Sequence, residues 1–402
     1  MRMSTSMAFE NGAAGIAKQQ YELLKTQQQM ASGRRVNSAS DDPIAAAHII
    51  DVTSAQELNK RYLANQTSAR NDISITESNL GQANSILQDI RTLLVQAGDG
   101  SYGDRERADV AKEIEVRAEE LLALANSKDA NGRYVFSGFQ ENIPAFRQTA
   151  AGVVFQGDQG RREVQVANGR TLGTSVSAAD IFDRVRTGNG VFTTAAAAGN
   201  TGSAMIGLGQ VSNATALDGH SYSLVFHVAA GVTTYDIVDD TAATTVSAGN
   251  AYVSGSSIGV AGMEADVSGP PADGDQFTLS PSGMRNVFDG LRDAVNLLRT
   301  GAGAAAPRAK LAMGVAETMA HVDRTLDQVS QARTEAGVAL GDLDRLESAT
   351  SGLDIGYEQQ MSQLRDLDYT KAVSEMLRQQ TALQASQQSF GKVLGRSLFD
   401  YL

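Results

Sequence analysis

A short glycine and serine run is the first place in this sequence that could carry chemistry. Residues 255–259, GSSIG, match the G-x-S-x-G pattern, in which a sharp turn between a strand and a helix exposes a nucleophilic serine. Here the run lies in Ser- and Gly-rich sequence, and no helix pattern follows it. We therefore interpret it as a β-turn, and the sequence predicts no catalytic serine.

Histidine and cysteine could also supply catalytic or metal-binding groups. His48 and His321 fall in helix patterns, whereas His220 and His227 lie seven residues apart in strand patterns, which puts them on opposite faces. The chain has no cysteine, which excludes disulfides, thiolate metal sites and cysteine nucleophiles. We expect no catalytic residue, no cofactor, no metal site and no enzymatic activity.

Two apolar ladders at the chain ends are the strongest pattern. Apolar residues recur every seven positions near both ends, and Ala13, Gln20, Gln27, Gln380 and Gln387 lie four residues after ladder positions. This 3.5-residue period is typical of helices that pack against another helix, and a Gln in such a seam can fix the register. We predict that the two ends pair and that the following residues form an assembly interface: Phe9, Ile16, Leu23, Met30, Met376, Leu383, Phe390 and Leu394.

An ordinary pair of amphipathic helices docked on one core would show a similar pattern. A seam this thin buries little, however, and a short isolated helical pair is marginal in water. We therefore predict that the ends are poorly ordered in single molecules and become ordered when many copies stack.

Longer helices fill much of the remaining chain. The apolar spacing predicts helices over 43–97, 104–130, 282–299 and 308–364, with Ser40 or Asp41 capping the first of them. The first and last of these helices are similar in length, so we expect them to lie antiparallel as a rod.

The middle of the chain changes to strand and turn patterns. Residues 133–183 predict short hairpins, 184–202 a linker, and 203–282 a small, mostly antiparallel β domain. The predicted fold class is mainly α with an inserted β domain at the tip of the rod. The expected domains are a terminal coiled coil (1–40 and 365–402), a helical rod with hairpins (41–183 and 284–364), and a linker with the outer β domain (184–283).

Charge and hydropathy limit the partners. The net charge is −12, but residues 1–40 carry +3 and residues 363–402 carry +1, so the acidity lies in the middle of the chain. An acidic middle argues against nucleic acid as a partner. No run of 18 apolar residues predicts a membrane span, and the N-terminus has no apolar segment typical of a cleaved signal peptide. Export without a cleaved signal remains open.

Several stretches resemble the flagellin superfamily. They are MRMSTSMAF (1–9), the LLKTQQQMASGRRVNSASDDPIAAA run (23–47), NGRYVFSGF (131–139), FQGDQGRREVQVANG (155–169) and the last 39 residues from Leu364. The two ends and the NGRYVFSG block are specific in this combination and order. The inserted segment 203–282 resembles the family's variable domain less closely.

The resemblance implies a structural subunit of the extracellular bacterial flagellum. Such a subunit would leave the cell through the flagellar type III export apparatus, with a cytoplasmic chaperone on its C-terminal segment. NGRYVFSG together with the ending SLFDYL favours a junction adaptor over filament-forming flagellin. The adaptor would form a homo-oligomeric ring of about one helical turn, with a neighbouring hook-associated protein on one side and flagellin on the other. Flagellin itself, and a secreted adhesin or enzyme that uses the β domain, are the alternatives.

Overall fold

The computed structural model describes residues 5–300 and 305–395, without the side chains of residues 5, 6, 8, 305, 306 and 393–395. Six α-helices lie in these ranges: α1 Thr5–Ser32, α2 Pro43–Ala97, α3 Asp104–Ala125, α4 Val287–Arg299, α5 Ala305–Arg365 and α6 Tyr369–Gly395. The bounds of α2 agree with the sequence prediction.

Two shorter helices differ from the prediction because polar side chains end them. Helix α3 ends before residue 130, since the Asn126 side chain donates to the carbonyl of Phe146 at 2.9 Å and accepts from its N–H at 2.9 Å. Helix α4 begins at Val287 rather than at residue 282, because the Asn286 side chain accepts from the Asp289 N–H at 2.7 Å as an N-cap.

The chain divides into two compact units. Unit 1 contains Met1–Gln66 and Arg345–Leu402, and unit 2 contains Thr67–Asp344. Within unit 2, helices α2 and α5 run antiparallel, because Glu77 and Arg91 on α2 pair with Arg333 and Asp323 on α5 in reverse order. The apolar faces of both helices supply fully buried side chains to the core of this unit: Leu80, Leu87, Ile90, Leu94, Val322 and Val329.

In unit 1, α2 and α5 contact each other through polar side chains. Asn59 donates to the carbonyl of Thr350 at 2.9 Å, and Gln66 donates to the Thr350 hydroxyl at 3.0 Å. Three large apolar residues of these helices, Ile44, Leu58 and Leu353, are exposed here.

A cluster of phenylalanines holds α4 in unit 2. The Phe288 ring lies 5.0 Å from the Phe146 ring and 6.1 Å from the Phe182 ring, measured between centroids. Phe146 lies on a hairpin and Phe182 on a single π-helical turn, Ala179–Asp183, so the cluster joins α4 to the segment between α3 and the inserted strands.

Fifteen strands lie within the described residues, all of them in unit 2. Their bounds are β1 Phe146–Thr149, β2 Gly152–Phe155, β3 Glu163–Ala167, β4 Arg170–Gly173, β5 Val185–Arg186, β6 Phe192–Ala196, β7 Met205–Ile206, β8 Gln210–Val211, β9 Tyr222–Ala229, β10 Val232–Asp239, β11 Thr244–Ala251, β12 Ser256–Val260, β13 Met263–Ser268, β14 Gln276–Pro281 and β15 Met284–Arg285. Every strand pair is antiparallel. The predicted fold class, mainly α with an inserted antiparallel β domain, is confirmed.

We call residues 187–283 the inserted β region. It contains a five-stranded sheet in the order β11-β10-β9-β14-β6 and a smaller sheet in the order β12-β13-β7, in which β8 also pairs with β13. The interpretation of 184–202 as a linker is wrong, since β5 and β6 lie there and β6 is an edge strand of the larger sheet. GSSIG, interpreted as a turn, mostly forms β12.

Candidate assembly interface

The two chain ends meet as an antiparallel helix pair, α1 with α6. The rings of Phe9 and Phe390 lie 5.3 Å apart between centroids. Gly12 allows this approach, because a Cβ at that position would lie 2.6 Å from Cε2 of Phe390. Any larger residue at position 12 would therefore displace the ring and open this end of the pair.

Polar contacts fix the register farther along the pair. The Thr26 hydroxyl donates to Oε1 of Gln379 at 3.0 Å, and the Tyr369 hydroxyl donates to the carbonyl of Met30 at 3.1 Å. Beyond the helix ends, the N–H of Leu367 donates to the carbonyl of Gly33 at 3.0 Å. Since each contact links a residue near one end of the chain with one near the other, the pair has a single alignment.

Most of the ladder residues lie on the seam between α1 and α6. Ile16, Leu23, Met30, Met376, Leu383 and Phe390 are half-buried, and Phe9 is 49% exposed. Leu394 lies on α6, but its side chain is outside the described residues. The structure thus brings together the described ladder residues of both ends, within one chain.

Most companion positions in the seam differ from the prediction, although Gln380 is half-buried as expected and Gln387 is exposed. Ala13, Gln20 and Gln27, four residues after ladder positions, are exposed. The positions three residues after the ladder face the partner helix instead: Gly12, Gln19, Thr26, Gln379 and Ser386 are buried or half-buried. The docking of Phe390 against Gly12 sets this rotation of α1, and the sequence pattern alone left it open.

A second apolar surface on these helices faces outward. Tyr21 is 64% exposed, Leu24 57%, Val373 39% and Leu377 55%. Leu24 follows the seam residue Leu23, and Leu377 follows the seam residue Met376. In an antiparallel pair, side chains one position after the seam lie on the same side of both helices, at 100° per residue. We call these four residues the outer patch; the sequence analysis did not identify it.

The loop between α1 and α2 is held by two carboxylates. Asp42 caps α2, accepting from the Ala45 N–H at 3.0 Å, whereas the sequence analysis favoured Ser40 or Asp41. Asp41 instead accepts from the Ser38 N–H at 3.0 Å and pairs with Lys25 at 3.1 Å. The Ser38 N–H and the Lys25 ammonium hold the pKa of Asp41 below its ordinary value. Both carboxylates therefore favour the folded loop at neutral pH, and this contribution is lost as the pH falls through their lowered pKa values.

The described residues show neither a metal site nor a membrane-spanning helix. Within residues 5–300 and 305–395, no group of three or more His, Asp or Glu side chains has a geometry that could hold a metal ion. None of the helices described there is long and apolar enough to cross a membrane. His220 and His227 each pair with a different carboxylate, Asp239 at 2.8 Å and Asp236 at 3.2 Å.

The chain is similar to proteins of the bacterial flagellum. Residues 3–141 match the model of the bacterial flagellin N-terminal helical region. The flagellar hook-associated protein 3 of Salmonella typhimurium is 28% identical over 400 residues, covering 99% of both chains. The chain is a homologue of flagellar hook-associated protein 3.

Structural comparison agrees with this homology. The crystal structure of flagellar hook-associated protein 3 from Legionella pneumophila is 25% identical, with a TM-score of 0.76, over 79% of this chain and 98% of that one. The phase 1 flagellin of Salmonella naestved is 35% identical over only 126 residues, 30% of this chain and 24% of the flagellin. Similarity to flagellin therefore covers a much smaller part of the chain than similarity to hook-associated protein 3.

Proposed function

We propose that the chain is a structural, non-catalytic subunit of the bacterial flagellum, located at the junction between a hook-associated protein and the flagellin filament. The full-length similarity to hook-associated protein 3, against a partial match to flagellin, supports the junction over the filament. The proposed subunit forms a homo-oligomeric ring of about one helical turn. It is extracellular, and it reaches its place through flagellar type III export without a cleaved signal peptide, assisted by a cytoplasmic chaperone.

The single observation that carries an assembly role is the lack of a core in unit 1. Among the described residues, its buried apolar side chains are Val36, Ala45, Val52, Met361 and Ala372. Its exposed large apolar side chains are more numerous: Met7, Phe9, Tyr21, Leu24, Ile44, Ile50, Leu58, Leu353, Ile355, Tyr369, Val373 and Leu377. Many large apolar side chains exposed in one unit, with few buried, are typical of a surface that contacts other proteins. Neighbouring copies would cover it.

The two apolar surfaces of α1 and α6 have different roles in this assembly. The described ladder residues close the pair within one subunit, and the outer patch contacts the neighbouring subunits. The proposed domains are 1–40 with 365–402 as the inner coiled coil, 41–183 with 284–364 as the helical domain, and 184–283 as the outer part.

Changing the outer patch tests this division. We expect the double variant Leu24→Asp/Leu377→Asp to fold with a thermal midpoint within about 2 °C of the wild type, because substitutions at exposed sites away from specific contacts change stability by roughly 0.5 kcal/mol or less. We also expect it to be exported but not incorporated, since two carboxylates would be buried without partners between subunits. Swimming and recovery of the protein from purified hook–filament junctions measure the loss.

Asn11→Asp/Ser389→Asp is the matched control. It adds the same two charges to the same helices at exposed polar positions away from the outer patch. This control should assemble normally. Normal incorporation of the outer-patch variant would contradict the proposed role of the patch.

Copy number separates the junction subunit from filament-forming flagellin. Sheared and purified filaments should contain this chain as a trace component, with a different protein as the main band. A preparation in which this chain is the main component would identify it as flagellin instead. Deletion of 203–282 with retained motility and loss of a binding or catalytic activity would support an adhesin or an enzyme.

Removing residues 1–35 tests whether the N-terminal helix belongs to the stable part of a single molecule. Both large apolar clusters lie in unit 2 and contain no residue of α1. We expect the truncated chain to keep the main thermal transition within about 2 °C of the wild type, measured by calorimetry. A large fall in that midpoint would show that α1 contributes to the core of the lone molecule.

A further inference from the structure

The inserted β region joins the rest of unit 2 through a two-stranded neck. β5 pairs with β15, with Met284 opposite Arg186 and Arg285 opposite Val185. Just beyond the pair, the Thr187 N–H donates to the carbonyl of Gly283 at 3.1 Å. The chain therefore enters and leaves the region at the same place, and a change at the neck would act on the whole region.

One face of α5 holds the neck, and its contacting side chains are polar. Arg324 Nε donates to the carbonyl of Gly188 at 3.1 Å, and Gln328 donates to the carbonyl of Arg184 at 3.3 Å. About four turns from Arg324 toward the N-terminus of α5, Lys310 donates to the carbonyl of Ala198 at 2.8 Å. These residues and Gly314, Glu317 and His321 follow a three- and four-residue spacing, which places them on one side of the helix. We call this side the polar face of α5.

Clefts open to solvent flank the contact along the polar face. One of about 260 Å³ lies where α4, α5 and the neck meet, and its lining includes Arg285, Asp293, Glu317 and His321. A second cleft of about 250 Å³ is shared between α5 and strands β6 and β7. Beside it, Met313 of α5 packs on the apolar cluster of the inserted β region. The region is therefore held here by hydrogen bonds and by this apolar contact, at a surface that solvent can reach.

His321 is the most unusual group on this face. It is 5% exposed, and neither ring nitrogen makes a hydrogen bond of ordinary geometry with the described residues, although the backbone of Asn286 and Arg186 lies close enough to act on the ring. The ring packs on α4 at Gly290, where a Cβ would lie 2.9 Å from Cδ2 of His321. Burying an imidazole without hydrogen bonds costs free energy, and burying it charged costs more.

The charges around His321 come from every element packed on it. Burial lowers its pKa, Arg285 from the neck and Arg324 from α5 act in the same direction, and the backbone of Asn286 and Arg186 opposes them. Glu317 on α5 responds in the opposite sense: burial raises its pKa, Asp293 on α4 adds to this, and Arg285 opposes it. A proton is thus excluded from His321 and favoured on Glu317 while the region is docked.

We propose that the polar face of α5 is a releasable dock for the inserted β region, and that protonation of His321 frees the neck. Docking is complete above the ordinary histidine value of 6.5, where the ring is neutral in both states. As the pH falls below that value, the released state takes up a proton that the docked state refuses, so release becomes more favourable. Glu317 resists this change, because the docked state holds its proton more tightly. The proposal is independent of the flagellar role.

Spin labels can measure the release directly, because the chain has no cysteine and two introduced ones are labelled uniquely. Ala242 on the inserted β region and Gln331 on α5 are exposed and suit Ala242→Cys and Gln331→Cys. We expect a single narrow distance at pH 7.5, and at pH 5.5 a second, longer distance whose population increases as the pH falls, because the released state binds a proton that the docked state excludes. Far-ultraviolet circular dichroism should be constant between the two pH values.

Two further variants of the labelled protein distinguish the contribution of His321 from that of Glu317. In His321→Phe the pH response should disappear, and His321→Gln serves the same purpose if the larger ring is not accommodated. In Glu317→Gln the response should be equal to or larger than that of the wild type. Each of four results would overturn the proposal. The first is a distance distribution of the wild type that does not depend on pH. The others are a pH response that persists without His321, a response that disappears without Glu317, and a loss of helix at pH 5.5.

Discussion

Leu383→Asp/Phe390→Asp should abolish swimming. Both side chains lie half-buried in the seam between α1 and α6, and the Phe390 ring rests on Phe9 and Gly12. Two carboxylates there would lose the apolar contacts of the seam and would have to remain hydrated, which separates the helices. The paired ends would then be absent from the subunit that must assemble. We expect swim diameter in soft agar to fall to that of a non-motile strain.

Unit 2 of the same variant should stay folded, since neither residue belongs to its two apolar clusters. The thermal midpoint of the main transition and the export of the protein into the medium both check this point. Ala385→Asp/Ser389→Asp, with equal charge at exposed positions of α6 away from the outer patch, is the control. If the Leu383→Asp/Phe390→Asp strain swam like the wild type, the terminal helix pair would not be part of the assembly interface.

Phe288→Ala is expected to have the largest effect on stability. The side chain is 4% exposed, and its ring contacts Phe146 and Phe182, so the change removes a contact between α4, a hairpin and the π-helical turn at once. Truncation of a buried phenylalanine costs about 3–5 kcal/mol. The thermal midpoint of unit 2 should therefore fall by on the order of 10 °C.

Phe139→Ala is a suitable comparison for this prediction, because Phe139 is 64% exposed. Its midpoint should stay close to that of the wild type. Equal losses in the two variants, measured by calorimetry, would mean that the phenylalanine cluster does not hold α4.

The sequence predicted those features of the fold that depend on local chemistry. Helix α2 could be placed because Pro43 suits a first helical turn and a glycine-rich segment begins at Gly98. The end of α3 could not be placed, because Asn126 bonds to Phe146 on a later hairpin. The start of α4 depends on a local cap, Asn286 on the Asp289 N–H, which the apolar spacing alone does not reveal. The strand order, like the end of α3, depends on contacts between distant parts of the sequence and was not predictable.

The candidate interface was predictable to a similar extent. The seven-residue spacing identified the ladder residues, but a repeat does not determine from which side the partner helix approaches. The contact of Phe390 with Gly12 decides that, and it turns Gln20 and Gln27 outward. The outer patch is found only when the exposed fraction of Leu24 and Leu377 is known.

The neck also makes the chain modular. Since β5 and β15 lie side by side, residues 187–283 are connected covalently to the rest of the chain at two adjacent positions. Another folded sequence whose own ends are close together could be spliced in at this position without altering the path of α3, α4 or α5. Lineages could exchange the insert freely, and engineers could use the same position to display a foreign protein.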